Sequence, residues 1–425
     1  MVGRIAVSAE PAAVHGSISG DMDNVTHAFV GAAMAECAVP QGASSRTRTI
    51  LITAGVIAAN APDIDLLYTG ITEAPLGYLL HHRGHSHTLP GLAVLGVAIW
   101  SGLKVLPRAK AAVQGMDRSV ILLIAAALLG HLLMDSANSY GTHLLYPFSA
   151  RWIYGDAVFV LEPWLWLILG AALASNALRL WRAVVALLAL GPVAALVAMG
   201  LLPAGVLAAM LGVTSGLAFA TRAWDRKKRA AVVLGAAATI FVVMPAVSRL
   251  AKDTARRALD DLDRGELVDI VSDVNPGVPW CWGVLTLQKA AGGPDQALVA
   301  RRGTLSLLPG LWPATSCASA RLMSARWPAD AASGSDAIVW HRQWRIHLEE
   351  LRTLRAGNCR VRAWLQFGRV PHVANGAIAD LRFEHPVGQN FTPMAVDSGA
   401  AGCPSFVTSW ELPRRDVLFP AGDPP

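Results

Sequence analysis

VILLIAAALLGHLLMDSA, residues 120–137, is an apolar stretch of spanning length that carries a histidine and an aspartate near its end. A bilayer crossing takes about 20 predominantly apolar residues. Ionisable groups inside such a run are expensive and mark function. His131 and Asp135 stand at i and i+4, so a helix sets imidazole and carboxylate on one face. Two such ligands on one rigid face suit zinc or a similar divalent cation. The stretch predicts a membrane helix and half of a metal site together. The alternative for the pair alone is an interhelical hydrogen bond.

Working outward, apolar runs of comparable length recur at 158–174, 183–200, 202–220 and 230–247. Only 16% of the chain is charged against 53% hydrophobic, with mean hydropathy +0.42, which excludes an ordinary soluble protein. The sequence predicts a mainly α polytopic transmembrane bundle of about eight membrane helices, the first two short, followed by a small soluble α+β domain. Four segments are expected: a flexible leader (1–21), a membrane-embedded metal-site helical domain (22–175), additional transmembrane helices (176–248) and the soluble C-terminal domain (249–425). The formal charge of +6 is modest. It falls between apolar segments, so no nucleic-acid partner is expected and the bilayer is the evident one.

The basic residues alternate between connections. Arg46 and Arg48 fall in one, Lys104, Arg108, Lys110 and Arg118 in another, then Arg179 and Arg182, then Arg222, Arg226, Lys227, Lys228 and Arg229. The intervening connections hold Arg83, Arg151 or none. The positive-inside rule puts the basic loops in the cytoplasm. That orientation, chosen without the ligand candidates, sends all of them to the outer face with the C-terminal domain. The run Arg249, Lys252, Arg256 and Arg257 opposes it mildly. Cys281, Cys317, Cys359 and Cys403 are an even number that permits two disulfides in an oxidising space. Four buried thiols fit the sequence equally well.

Several motifs supply the remaining candidates. In DNVTHAFVGAAM (23–34), Asp23 or Asn24 caps a helix, His27 lies in its first turn and Gly31 permits close packing. In APDID (61–65), Pro62 stops a helix and Asp63 and Asp65 follow as paired carboxylates, whose repulsion a divalent cation would relieve. HHRGHSHTL (81–89) is the densest cluster, with His82 and His87 as the preferred ligands, His81 and His85 as supporting or solvated groups, and Arg83 suited to a phosphate or carboxylate. Residues 138–164 add Asp156 and Glu162, with His143 unassigned. The metal set so read is His27, Asp65, His82, His87, His131, Asp135 and Asp156. Asp63, Asp65 and Arg83 are the catalytic candidates.

DNVTHAFVG, PDID, HRGHSHTL, HLLMDSANSYGTHLLYPFS and DAVFVLEPW, in this order over about residues 22–165, resemble the YdjM-like family of inner-membrane metal-dependent hydrolases, also described as LexA-binding. The later VNPGVPWCW and IADLRF are similar to its C-terminal part. The resemblance implies a bacterial inner-membrane location and metal-dependent hydrolysis. It implies roles for His27, Asp63, Asp65, His82, Arg83, His87, His131, Asp135 and Asp156. Glu162 stands where an aspartate is expected. A more distant similarity is to helical zinc-dependent phospholipases C. Their second ligand half is missing here unless His143 and Asp156 substitute, which favours one or two metals.

These readings converge on a metal-dependent hydrolase using zinc, with manganese as the alternative, on a phosphoester or lipid-linked substrate at the outer face. Two other classes remain: a non-enzymatic membrane protein whose C-terminal domain binds a regulatory protein partner, and a metal transporter. In the C-terminal domain, residues 280–287, 297–308, 359–370 and 376–383 read as strands and 336–354 as a helix. His341, His347, His372 and His385 are too scattered to form a site.

Overall fold

The computed structural model describes residues 24–177, 179–260, 262, 265–290, 297–326, 335–384, 390–396 and 402–419. The expected leader, Asp23, His385 and residues 420–425 lie outside the described residues. Ten helices come first: α1 (Asn24–Ala38), α2 (Ser45–Asn60), α3 (Leu76–His81), α4 (Leu89–Val105), α5 (Pro107–Ala112), α6 (Asp117–Ser136), α7 (Pro163–Asn176), α8 (Arg179–Ala198), α9 (Ala204–Thr221) and the 35-residue α10 (Arg226–Asp260). The apolar segments expected to cross are helical, the one at 158–174 only from Pro163 onward. Among the described residues, five helices have the length and composition to cross a membrane, among them α2 with its 3-10 continuation to Ile71. Counting residues 76–87 and α4, bent by 68°, as one broken span makes six. The expectation of eight is not reached, because α1 and α7 have 15 and 14 residues. At 1.5 Å per residue they reach about 21–23 Å, short of a hydrocarbon core of about 30 Å.

The short helices sit inside the bundle instead. Phe29, Val30 and Ala33 of α1 pack on Leu165, Ile168 and Leu169 of α7 and on Val233 and Ala237 of α10. Helices α1 and α2 cross closely: a Cβ at Gly31 would lie 2.3 Å from the Gly55 carbonyl oxygen, and one at Gly55 2.4 Å from that of Gly31. Small residues at a crossing let backbones approach, and here they bring α1 within reach of the site. Helices α8, α9 and α10 bury only 17–22% of their apolar windows, against 44% for α2 and α6. Their exposed Leu187, Val213 and Val242 form a lipid-facing surface.

The two ends of the bundle differ in charge. At one end Arg48 pairs with Glu36 and donates to the Asn176 carbonyl, Arg182 donates to the Ala174 carbonyl, and Arg229 donates to Ser175 and Asn176. Three cations thus gather where the last carbonyls of α7 favour them. The opposite end carries the clustered histidines and aspartates and the C-terminal sheet.

Helix α10 runs past the bundle and docks on that sheet, Ala251, Ala255 and Leu259 packing on Ile270, Val274, Trp282 and Val284. The boundary expected between 248 and 249 therefore falls inside a continuous helix. Strands β1 (Leu267–Asn275), β2 (Val278–Lys289), β3 (Ala297–Ser306) and β4 (Ile338–His347) form an antiparallel meander in sequence order, with α11 (Ala318–Arg326) between β3 and β4. Helices α12 (Leu348–Gly357) and α13 (Cys359–Trp364), a small sheet of β5 (Pro371–Ala374), β6 (Ala377–Asp380) and β7 (Met394–Ala395), and α14 (Arg415–Leu418) complete it. One face of the meander shares a core with Leu76, Leu79 and Leu80 of α3 and with Tyr140 and Trp152. The metal-site segments are built into the base of this domain.

Two local expectations are overturned. Residues 338–347 are a strand, not the start of a helix. Trp340, Trp344 and Leu348 are spaced by four, which fits a helical turn and also two periods of a pleat, and a register shift opposite Arg302 and Gly303 obscures the alternation. Residues 359–364 are a helix, not a strand. The Asn358 side chain accepts from the backbone N–H groups of Arg360 and Val361, and this N-cap decides the segment. Cys281 bonds Cys317 and Cys359 bonds Cys403, leaving Cys37 free among the described residues.

Candidate metal centre

Each segment delivers its side chains through its own local rule. Pro62 turns the end of α2 into a 3-10 run, Ala61–Leu67, which directs Asp63 and Asp65 inward. After α3 the chain leaves helical geometry at His82, passes Arg83 at φ 58°, and re-enters through the short turn His85–His87 before Thr88 caps α4. Positive φ is uncommon for a residue with a β-carbon. The Asp65 carboxylate accepts the Arg83 backbone N–H at 2.9 Å, which holds that bend. Helix α6 presents His131 and Asp135 on one face, and the His27 ring of α1 stacks on His131 with centroids 4.0 Å apart.

Four donor atoms converge in the interior. His87 Nε2 lies 3.1 Å from His131 Nε2, 3.1 Å from Asp135 Oδ2 and 3.4 Å from Asp63 Oδ1. His131 Nε2 lies 3.3 Å from Asp135 Oδ2 and 3.6 Å from Asp63 Oδ1. Ligands held tetrahedrally at about 2.0–2.1 Å from zinc stand about 3.3–3.4 Å apart, in the middle of this range.

The tautomers follow from the outer partners. His131 Nδ1 sits 2.6 Å from the Ala59 carbonyl and His87 Nδ1 3.0 Å from Asp65 Oδ2. Both oxygens only accept, so both Nδ1 atoms carry protons and both Nε2 lone pairs face inward. The Asp63 oxygens and Asp135 Oδ2 are buried without a hydrogen bond. Lone pairs of two imidazoles and two carboxylates, packed away from water, repel unless a cation lies among them. The residues fit a divalent metal.

The remaining candidates surround this group. Asp65 orients two rings: Oδ1 meets His82 Nδ1 at 3.1 Å, and Oδ2 takes His87 Nδ1 and the Ser86 hydroxyl at 2.7 Å. Carboxylates behind ligating histidines fix tautomer and orientation. His82 is buried with Nε2 free of hydrogen bonds, and with Asp63 and Asp65 it forms a second group of suitable donors. His27 Nε2 reaches Asp135 Oδ1 at 3.4 Å.

Arg83, expected to meet an anionic substrate group, is buried and committed elsewhere. It bonds the Asp135 carboxylate and carbonyl and, at 2.8 Å, Asn138 Oδ1. Asp156, expected as a ligand, gives its carboxylate to Arg369 and Lys252. His81 bonds Thr72, and His85 packs beside Trp410. Glu162 caps α7 through the Trp164 N–H. Sequence reasoning missed Ser86, Asn138 and the Ala59 carbonyl. Asn138 follows Asp135 by three residues, which was the available signal; a backbone carbonyl offers none.

His143 lies apart, stacked between Trp410 and Trp152 at 3.8 and 4.0 Å. Burial pulls its pKa down to about 3. A buried neutral histidine binds fewer protons folded than unfolded, so its contribution is complete above about pH 6.5 and fades as the pH falls towards 3, by about 1.4 kcal/mol per unit. Between pH 7 and pH 5, His143→Phe should remove about 2 kcal/mol of acid sensitivity. Thermal unfolding in detergent at the two pH values measures this, and equal acid sensitivity in both proteins would refute it.

The fold and this cluster define a class: a helical integral membrane protein with a buried histidine–aspartate centre of metal-binding type at one end of its bundle. The sequence profile of the YdjM inner membrane protein family matches residues 22–206. Over these residues the chain is similar to that family. It is also similar to the uncharacterized protein YfhP of Bacillus subtilis (strain 168), 27% identical over 157 residues, which are 36% of this chain and 46% of that relative. The chain thus spans less than half the length of the curated relative it matches. No solved structure matches it.

Proposed function

We propose that the protein is a metal-dependent hydrolase of the inner membrane, acting on a phosphoester or lipid-linked substrate at the outer face. The observation that carries this reading is the set of four buried donors, Asp63, His87, His131 and Asp135, spaced as a tetrahedral cation requires. When bound, the cation, zinc or manganese, would supply Lewis acidity, lowering the pKa of a water and polarising the scissile bond. Asp65 and Ser86 hold His87 in the ligating tautomer. Arg83, itself held by Asn138, holds Asp135. His82, oriented by Asp65 through Nδ1 with Nε2 open, is suited to accept a proton.

A narrow cleft of about 30 Å³, room for a water, lies beside His27, Arg83 and Asp135. Its other wall is apolar, with Met134, Phe159, Val160, Leu165 and Phe241. The outer-face assignment rests on the basic residues at the far end and on the two disulfides, which belong to an oxidising compartment. All the donor clusters among the described residues lie at one end, which favours a hydrolase over a transporter.

The test joins chemistry to sidedness. Zinc- or manganese-loaded protein in detergent should hydrolyse a phosphodiester or a phospholipid from a defined panel. A C-terminal alkaline phosphatase fusion should be active in cells. Metal-loaded protein inert towards the whole panel would refute the hydrolase, and a fluorescent C-terminal green fluorescent protein fusion would reverse the orientation.

A further inference from the structure

At the basic end, far from the metal centre, α7, α9 and α10 enclose a cleft of about 230 Å³. Its shaft is apolar, lined by Ile168, Ala172, Leu217 and Val233, and its mouth holds Arg222 and Arg229. Arg229 is anchored wholly by neutral acceptors. Its nitrogens meet Ser175 Oγ at 2.6 Å, Asn176 Oδ1 at 3.0 Å and the carbonyls of Thr221, Arg222 and Trp224. The Arg222 guanidinium lies 3.7 Å above the Phe219 ring. Asp225 bonds the Lys228 N–H and pairs with its ammonium. Among the described residues neither Arg222 nor Arg229 has a carboxylate partner, so the mouth carries two uncompensated charges.

The wall holds a second sign of a ligand. Thr214 is buried, lines the shaft, and its hydroxyl has no hydrogen-bond partner among the described residues. A threonine in an apolar helix ordinarily donates to the carbonyl four residues back. Thr221 and Thr239 do so; Thr214 does not. Its donor is open towards a cleft with cations at one end and hydrocarbon along the rest.

We propose that this cleft holds one anionic phospholipid, its phosphate between Arg222 and Arg229, an acyl chain along the apolar shaft, and a glycerol ester oxygen accepting from Thr214. Basic pockets between membrane helices recognise anionic headgroups in this way, and each cation near the surface changes lipid affinity about five-fold. The site is independent of the hydrolase reading.

Native mass spectrometry of the full chain in detergent tests it, with phosphatidylglycerol and phosphatidylcholine of identical acyl chains and with inorganic phosphate as competitor. The wild type should retain one phosphatidylglycerol at least about five-fold better than phosphatidylcholine. Arg222→Gln should cut that preference about five-fold, and Ala218→Leu, which narrows the shaft without changing charge, should weaken both lipids. Equal retention of the two lipids by the wild type, or unchanged binding in both variants, would overturn the proposal. Displacement of the lipid by inorganic phosphate would overturn it in favour of a soluble anion.

Discussion

Alanine at position 131 is expected to empty the metal centre. Purified wild-type chain dialysed against buffered zinc should hold about one ion per four-donor site, and His131→Ala should hold none above background by elemental analysis. The size of the effect follows from the packing. His131 Nε2 is within 3.6 Å of the other three donors, so its removal leaves three ligands and a gap. Changing a group behind the ligands costs 10–100-fold in affinity, and losing a ligand should exceed about 100-fold. Asp63→Asn is the cleaner companion, because neither Asp63 oxygen accepts a hydrogen bond. It removes one charge and breaks no hydrogen bond, so metal loss there cannot be blamed on misfolding. Ser86→Ala, which touches Asp65 and His87 only from behind, should weaken binding about 10–100-fold without abolishing it. Unchanged metal content in both His131→Ala and Asp63→Asn would remove the basis of the proposed chemistry.

The residues that sequence reasoning brought forward were those whose types are costly in an apolar setting. His131 and Asp135 are legible because a helix of known period converts their spacing into a shared face. Asp63 and His87 are legible as types, but not as partners of that face, since no local rule says which loops meet. Asp65 and His82 have the same composition as ligands, yet Asp65 spends both oxygens on imidazole N–H groups. Only three-dimensional placement separates a carboxylate that contacts a cation from one that orients its ligands. Arg83 and Asp156 show the same limit in charge. Each is matched by a partner distant in sequence, Arg83 by Asp135 and Asp156 by Arg369, and neither partnership leaves a periodic trace. The membrane helices were readable from hydropathy, whereas their number was not, because α1 and α7 are apolar for a protein interior rather than for lipid. In the C-terminal domain one Asn cap and one register shift outweighed the local pattern.

Arg369→Met should destabilise the protein by about 3–5 kcal/mol, the range for breaking a buried ion pair from one side. The Arg369 guanidinium lies against Asp156 at 2.8 and 2.9 Å and against Asp269 at 2.8 and 3.0 Å. Burial alone would raise the Asp269 pKa; Arg369, then Arg414 and Lys252, hold it well below the usual carboxylate range. Removing the guanidinium leaves Asp156 with Lys252 and Asp269 with Arg414 at 3.4 Å, so the loss should lie near the lower limit. It should shrink as the pH falls through the carboxylate range, because the stranded groups can then take up protons. Adding Asp156→Asn to Arg369→Met should restore part of the stability, with a coupling above about 1 kcal/mol for groups in direct contact. Thermal unfolding in detergent measures both, and an Arg369→Met protein within about 0.5 kcal/mol of wild type would mean the network is ornamental. The consequence reaches the site. Residues Ala157 and Val158 hang from the Ala137 carbonyl beside Asp156, and Val158 to Val160 line the cleft that leads to His27 and Asp135. Freeing Asp156 should loosen that wall, so the same variant should release metal to a chelator faster than wild type while keeping every donor in its sequence.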